Sequence, residues 1–192
     1  MNLPNQLTLA RLVLCGFFVL SMSIAWPFAA TGALIIFSLA SLTDWLDGSI
    51  ARRYNLITDL GKLLDPLADK ILISAAFISL IERGLAPMWM VVVIIAREFL
   101  ITGLRIVAAN KHLILAAEKA GKHKTITQIV AILVSLSFLT LSEFGLGQTF
   151  VAQILHSAIT PLFWVALFIT VVSGGLYFYK NRFLFERMEE SP

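Results

Sequence analysis

Residues 44–69 read D-W-L-D-G-S-I-A-R-R-Y-N-L-I-T-D-L-G-K-L-L-D-P-L-A-D, and the rest of the 192-residue sequence is best understood from this stretch. Asp44 and Asp47 are three residues apart, and Asp65 and Asp69 are four apart. On a helix either spacing puts both carboxylates on one face. Four carboxylates at close quarters repel one another unless a cation sits between them, and the chain around them is 58% hydrophobic with only 14% charged residues. Oxygen-only ligands suit hard cations such as Mg²⁺ or Mn²⁺. Two such ions side by side stabilise charge on the attacking and leaving oxygens of a phosphoryl group. Gly48 and Gly61 remove side chains beside the acids, and Arg52, one turn after Gly48, is suited to a phosphate. Ion pairing with Arg52, Arg53, Lys62 and Lys70 would account for one or two of the aspartates. It does not account for four at helical spacing, given the cost of acids at membrane depth.

Working outward, a mean hydropathy of +0.86 and several long apolar runs specify an all-α integral membrane protein. A soluble core would have to hide every one of those runs. The single cysteine, Cys15, lies in an apolar run and reads as a packing residue, which excludes a disulfide framework or a cysteine zinc site. The net charge of +3 is mild and gives no reason to expect a nucleic-acid partner.

The apolar runs predict six transmembrane helices near residues 12–25, 28–51, 61–81, 88–109, 126–141 and 151–179. Residues 1–11 read as an interfacial N-terminal segment and 180–192 as a charged cytoplasmic tail, so that 1–192 is one transmembrane catalytic domain. A short surface helix fits residues 113–117, within the basic loop at 110–125. Pro66 is expected near the first turn of the third helix, where its missing N–H matters least. Of fifteen lysines and arginines, only Arg83 falls in a loop on the side away from the aspartates. By the positive-inside rule both termini and the aspartate stretch are then cytoplasmic, in a multi-pass protein of the cell inner membrane. Glu82 and Glu143 read as ordinary loop acids, His156 as structural, and Trp26, Trp89 and Trp164 as interfacial or packing residues.

Together, Asp44, Asp47, Gly48, Ala51, Arg52, Gly61, Asp65 and Asp69 spell D-x-x-D-G-x-x-A-R-x₈-G-x-x-x-D-x-x-x-D without a departure. This resembles the signature of the CDP-alcohol phosphatidyltransferases. The resemblance implies that family's fold, with a cleft open to the cytoplasm in which two divalent cations hold the diphosphate of a CDP-linked lipid. It implies that Asp44, Asp47, Asp65 and Asp69 are metal ligands and that Asp69 is also the general base for the acceptor hydroxyl. Asp44, Gly48, Ala51, Arg52 and Gly61 would lie along the nucleotide, with Asn5 and Thr8 of the opening L-P-N-Q-L-T-L-A-R-L, and Arg11, near the nucleotide or the lipid interface.

The acceptor is read from the basic residues. Arg97 and Arg105 are eight residues apart, roughly on one helix face, and a mid-span arginine is costly unless it faces a wet cavity. Arg97 paired with Glu98 is the structural alternative. Lys122 and Lys124, expected just before the fifth helix, would reach the same cleft or serve simply as positive-inside lysines. The I-A-R-E-F, G-L-R and G-K-x-K-T segments resemble the bacterial phosphatidylglycerophosphate synthases of the family. That resemblance implies CDP-diacylglycerol and sn-glycerol 3-phosphate as substrates, with Arg97, Arg105, Lys122 and Lys124 on the acceptor phosphate. The alternatives are the same chemistry on another acceptor, as in a cardiolipin or phosphatidylserine synthase, or a cation transporter or channel. A homodimer is compatible with the sequence, which specifies no pairing face.

Overall fold

The structure, a computed structural model, describes residues 3–54, 59–110 and 120–182, with side chains described for 9–43, 70–108 and 124–182. The described residues form six α-helices: α1 (Leu3–Ser23), α2 (Ala29–Tyr54), α3 (Asp59–Glu82), α4 (Met88–Asn110), α5 (Ala120–Glu143) and α6 (Phe150–Lys180). The expected helix at 113–117, His112 and most of the tail lie outside the described residues.

The helices pack through narrow apolar stripes. Cys15, Phe18 and Met22 of α1 recur at helical spacing and meet Ala33, Phe37 and Ala40 of α2 in one core with Phe77 and Leu80 of α3. Cys15 is thus a packing residue, as expected. Phe18 stacks at 6.1 Å on Phe37, and Phe77 at 5.5 Å on Phe163 of α6. Alanines that are fully buried at these contacts (Ala33, Ala40, Ala76, Ala131, Ala166) let the backbones approach closely, as in helix packing within lipid.

The outward faces are apolar as well. Phe17 and Leu20 of α1, Ile35 and Leu39 of α2, Phe99 and Leu100 of α4 and Phe168 of α6 are all exposed. Helices apolar on both faces belong in a bilayer, where an exposed leucine meets lipid tails. Two segments among the described residues, Lys124–Glu143 and Phe150–Lys180, are long and apolar enough to cross a membrane by themselves. Leu9–Ser23 and Ala29–Thr43 are shorter apolar stretches.

One end of the bundle is closed by tight turns. Gly84 after α3 and Gly145 after α5 take positive φ (71° and 72°), which a side chain would strain. Each ends its helix with a pair of backbone bonds back to the last turn: Gly84 N to Ile81 O and Leu85 N to Leu80 O at 2.9 and 3.0 Å, and Gly145 N to Ser142 O and Leu146 N to Leu141 O at 3.1 and 2.8 Å. Glu143 is more than a loop acid. Its carboxylate accepts from Ala30 N, from Thr31 N at 2.9 Å and from Thr31 Oγ1 at 2.8 Å. It thereby caps the start of α2 and locks α5 to it. Arg83 Nη2 donates to Met22 O at 3.1 Å, closing α3 onto the end of α1. At this end His156 lies against Phe138, with ring centroids 4.8 Å apart. Trp89 packs edge-on to Trp164 at 5.7 Å.

Three boundaries differ from expectation. Residues 3–11 are helical and continuous with α1 rather than a separate lead-in. Pro66 is the eighth residue of α3, well past the first turn, because the helix already begins at Asp59. The fifth helix begins at Ala120, so Lys122 and Lys124 lie in its first two turns rather than in a loop before it. Alanine and lysine are good helix formers, and they extend a helix beyond its apolar stretch.

Candidate active site

The signature is split between the last turns of α2 and the first turns of α3. Asp44, Asp47, Gly48, Ala51 and Arg52 are in helical backbone on α2, and Gly61, Asp65 and Asp69 are on α3. Asn5 and Thr8 are in the first turns of α1, and Lys122 is in α5. The side chains of these eleven residues lie outside the described set. Their helical spacing is therefore what the structure adds for them: both aspartate pairs sit in α-helix, as the three- and four-residue intervals require.

A cavity of about 110 Å³, with polar groups set in a largely apolar lining, lies between the helices beside Ser41 of α2 and Lys70 of α3. Its polar lining includes Arg11 of α1, Ser41 of α2, Lys70 and Ser74 of α3, Glu98 of α4 and Gln128 of α5. Ser41 precedes Asp44 by three residues, and Ile73, which also lines the cavity, follows Asp69 by four. The helix stripes that carry the outer acids of the signature therefore continue as the α2 and α3 walls of the cavity. Charged groups in the wall of a pocket between otherwise apolar helices mark a place where a charged ligand is tolerated.

The cavity is backed by a buried charge cluster. Glu98 is 6% exposed. Its Oε2 accepts from Lys70 Nζ at 2.8 Å, and its Oε1 pairs with Lys124 Nζ at 2.5 Å and with Arg97 Nη1 at 3.6 Å. Gln128 Nε2 lies 3.5 Å from Glu98 Oε1 and donates to Thr170 Oγ1 at 3.1 Å. Arg97 Nη2 donates to Ser173 Oγ at 3.0 Å, and Ser173 donates in turn to Thr170 O at 3.1 Å. The cluster thus joins α3, α4, α5 and α6. A buried carboxylate or ammonium is tolerated only when paired in this way.

Gly174 makes the α4–α6 approach possible. A Cβ there would stand 3.1 Å from both Cγ and Nε of Arg97. Arg105, two turns further along α4, lies with its guanidinium 5.3 Å from the centre of the Tyr177 ring, a cation–π contact. Both arginines therefore run along one stripe of α6, as their eight-residue spacing suggests.

Of the four cations expected on the acceptor, Arg97 and Lys124 are brought together at Glu98, whereas Arg105 lies beside Tyr177. The Arg97–Glu98 pair weighed as a structural alternative does form, but Lys70 and Lys124 share the same carboxylate. Sequence reasoning missed the importance of Glu98, Lys70 and Gln128. A glutamine and a glutamate inside two apolar runs were the available signal.

The fold and this arrangement define a helical bundle with a buried charge cluster at an interior cavity, and comparison with known proteins places it. The sequence pattern of the CDP-alcohol phosphatidyltransferases matches residues 1–172, and the chain belongs to that family. It is 46% identical to the CDP-diacylglycerol–glycerol-3-phosphate 3-phosphatidyltransferase of Bacillus subtilis (strain 168), covering 94% of this chain and 95% of that protein. A protein of the same description from Rickettsia bellii is 37% identical over 92% of this chain and 93% of its own length. A probable phosphatidylglycerophosphate synthase of Mycobacterium tuberculosis (strain H37Rv) is 35% identical, covering 92% of this chain and 79% of the relative.

Proposed function

We propose that the chain transfers a phosphatidyl group from CDP-diacylglycerol to sn-glycerol 3-phosphate, releasing CMP and giving phosphatidylglycerophosphate for phospholipid biosynthesis. The observation that carries this reading is the near full-length likeness to relatives described as that enzyme, in a chain whose aspartate signature is unbroken.

In this reading Asp44, Asp47, Asp65 and Asp69 hold two divalent cations, Mg²⁺ or Mn²⁺. The residues fit such a group: the donors are all carboxylate oxygens, paired at one-turn spacing in the helical backbone of α2 and α3. When bound, the ions supply positive charge to the diphosphate of the lipid nucleotide. The chain's own residues do the rest. Asn5, Thr8, Gly48, Ala51, Arg52 and Gly61 seat the nucleotide, the two glycines leaving room for its close approach. Arg97, Arg105, Lys122 and Lys124 orient the acceptor by its phosphate through charge-assisted bonds. Asp69 takes the proton of the acceptor hydroxyl as its oxygen attacks the β-phosphorus. The bond from that phosphorus to the oxygen bridging to CMP breaks, and CMP departs with the electron pair.

The same reading gives the chain six transmembrane helices, with both termini and the aspartates on the cytoplasmic side of the inner membrane. The apolar outward faces of α1, α2, α4 and α6 support it, as does the concentration of lysine and arginine at the aspartate end. A cation path is disfavoured because the interior polar groups gather beside the aspartate end, while the opposite end is closed by turns, caps and aromatic contacts.

The test is reconstitution of the purified chain in vesicles containing CDP-diacylglycerol, with CMP release followed for glycerol 3-phosphate, serine and phosphatidylglycerol separately. Release with glycerol 3-phosphate alone is expected. Release only with another alcohol would move the chain to a different acceptor class, and ion flux without CMP would favour the transporter reading.

A further inference from the structure

Lysine is ordinarily a poor fixed binding group, because its four-carbon stem samples many rotamers and loses that freedom when a ligand binds. Here two lysines are restrained before any ligand arrives. Glu98 receives Lys70 on one oxygen at 2.8 Å and Lys124 on the other at 2.5 Å, with Arg97 at 3.6 Å. Gln128 and Ser173 extend the restraint to α5 and α6. Among the described side chains three cations face this one carboxylate, next to a cavity that Lys70 and Glu98 themselves line. An ammonium carries three donors and the bond to Glu98 takes one, which leaves each lysine capacity for a phosphate. Lys70 directly follows Asp69, so the same carboxylate ties the start of the aspartate helix to the helix that carries Lys124.

We propose that Glu98 is a positioning residue of the acceptor site: it holds Lys70, Lys124 and Arg97 as a preformed cationic group for the phosphate monoester of the acceptor. It does this without touching the substrate itself. This rests on glycerol 3-phosphate being the acceptor. Its effect is preorganisation, since side chains already ordered lose less freedom on binding. Substitution should therefore weaken acceptor capture and leave CDP-diacylglycerol binding in place.

The experiment uses the full chain in vesicles, with CMP release measured against each substrate while the other is saturating. Glu98→Gln is expected to raise KM for glycerol 3-phosphate about tenfold to a hundredfold, the range of one lost charged bond. KM for CDP-diacylglycerol should stay within about twofold, since nothing places Glu98 beside the nucleotide. Glu98→Asp, which keeps the charge on a shorter arm, should recover part of the loss. The proposal is overturned if both KM values rise together, if only kcat falls, or if Glu98→Gln behaves as the unaltered protein. Should Glu98→Gln yield no folded protein, Glu98→Asp decides: an unchanged glycerol 3-phosphate KM in that variant overturns the proposal, and a selective rise supports it. If the unaltered protein releases no CMP with glycerol 3-phosphate, the acceptor assignment itself falls and takes this inference with it. That outcome is distinct from a variant failing on an active enzyme.

Discussion

Glu98 and Glu143 are both acids anchored inside a largely apolar bundle, yet they do different work at its two ends. Glu143 takes backbone N–H groups and one hydroxyl at the start of α2. These partners are not cations, and through them it stitches the end closed by Gly84, Gly145 and the Arg83 bond. Glu98 takes two lysines and an arginine beside a cavity. The first arrangement ties one helix start to a neighbouring helix through backbone groups. The second gathers cations from α3, α4 and α5 on one carboxylate beside a cavity. Charged side chains inside a membrane bundle gather where a polar ligand is handled, so this difference separates scaffold from site.

The largest effect is expected at the aspartate end. Asp69→Asn should lower CMP release by about a thousandfold or more, combining loss of a proton acceptor with loss of a metal ligand. Thermal stability in detergent should be retained, because the change removes a carboxylate without altering side-chain size. Next come the two glutamates. Glu98→Ala leaves buried cations without their shared counter-ion and should destabilise the fold by about 3–5 kcal/mol. Glu143→Ala removes a helix cap and should cost about 1–2 kcal/mol with both KM values unchanged. Denaturation of the two variants side by side measures the difference, and equal losses would erase the distinction drawn here. The smallest effect is expected at Gly174. Alanine is favoured over glycine within a helix by about 0.5–1 kcal/mol, but the added Cβ would press on Arg97 at 3.1 Å. Gly174→Ala should therefore fail to deliver that gain and should raise KM for glycerol 3-phosphate by a few-fold at most, as a displaced charged contact of marginal strength would.

The helices and the placement of the signature were legible in the sequence, because apolar runs and one-turn aspartate spacing are local properties. Asp44 and Asp47 lie in the C-terminal half of α2, and Asp65 and Asp69 in the N-terminal half of α3. The start of α5 was misplaced because polar residues with good helix propensity continue a helix beyond its apolar stretch, which carried Lys122 and Lys124 into it. Glu143 was read as a loop acid because its partners, Ala30 and Thr31, are more than a hundred residues away in the chain. The Glu98 cluster was half visible. Arg97 is its neighbour in sequence, whereas Lys70 and Lys124 come from α3 and α5 and meet it only when the helices pack. The family resemblance named the aspartates' chemistry, and packing shows which cations stand together at Glu98.

As proposed, the aspartate end performs metal-dependent phosphatidyl transfer to glycerol 3-phosphate. The most direct measurement is CMP release by the reconstituted chain with CDP-diacylglycerol and glycerol 3-phosphate, before and after chelation of divalent cations and after their return. The account predicts release that stops on chelation, recovers with Mg²⁺ or Mn²⁺, and yields phosphatidylglycerophosphate in equal amount to CMP. Release that is indifferent to chelation, or CMP formed without the phosphorylated lipid, would contradict it.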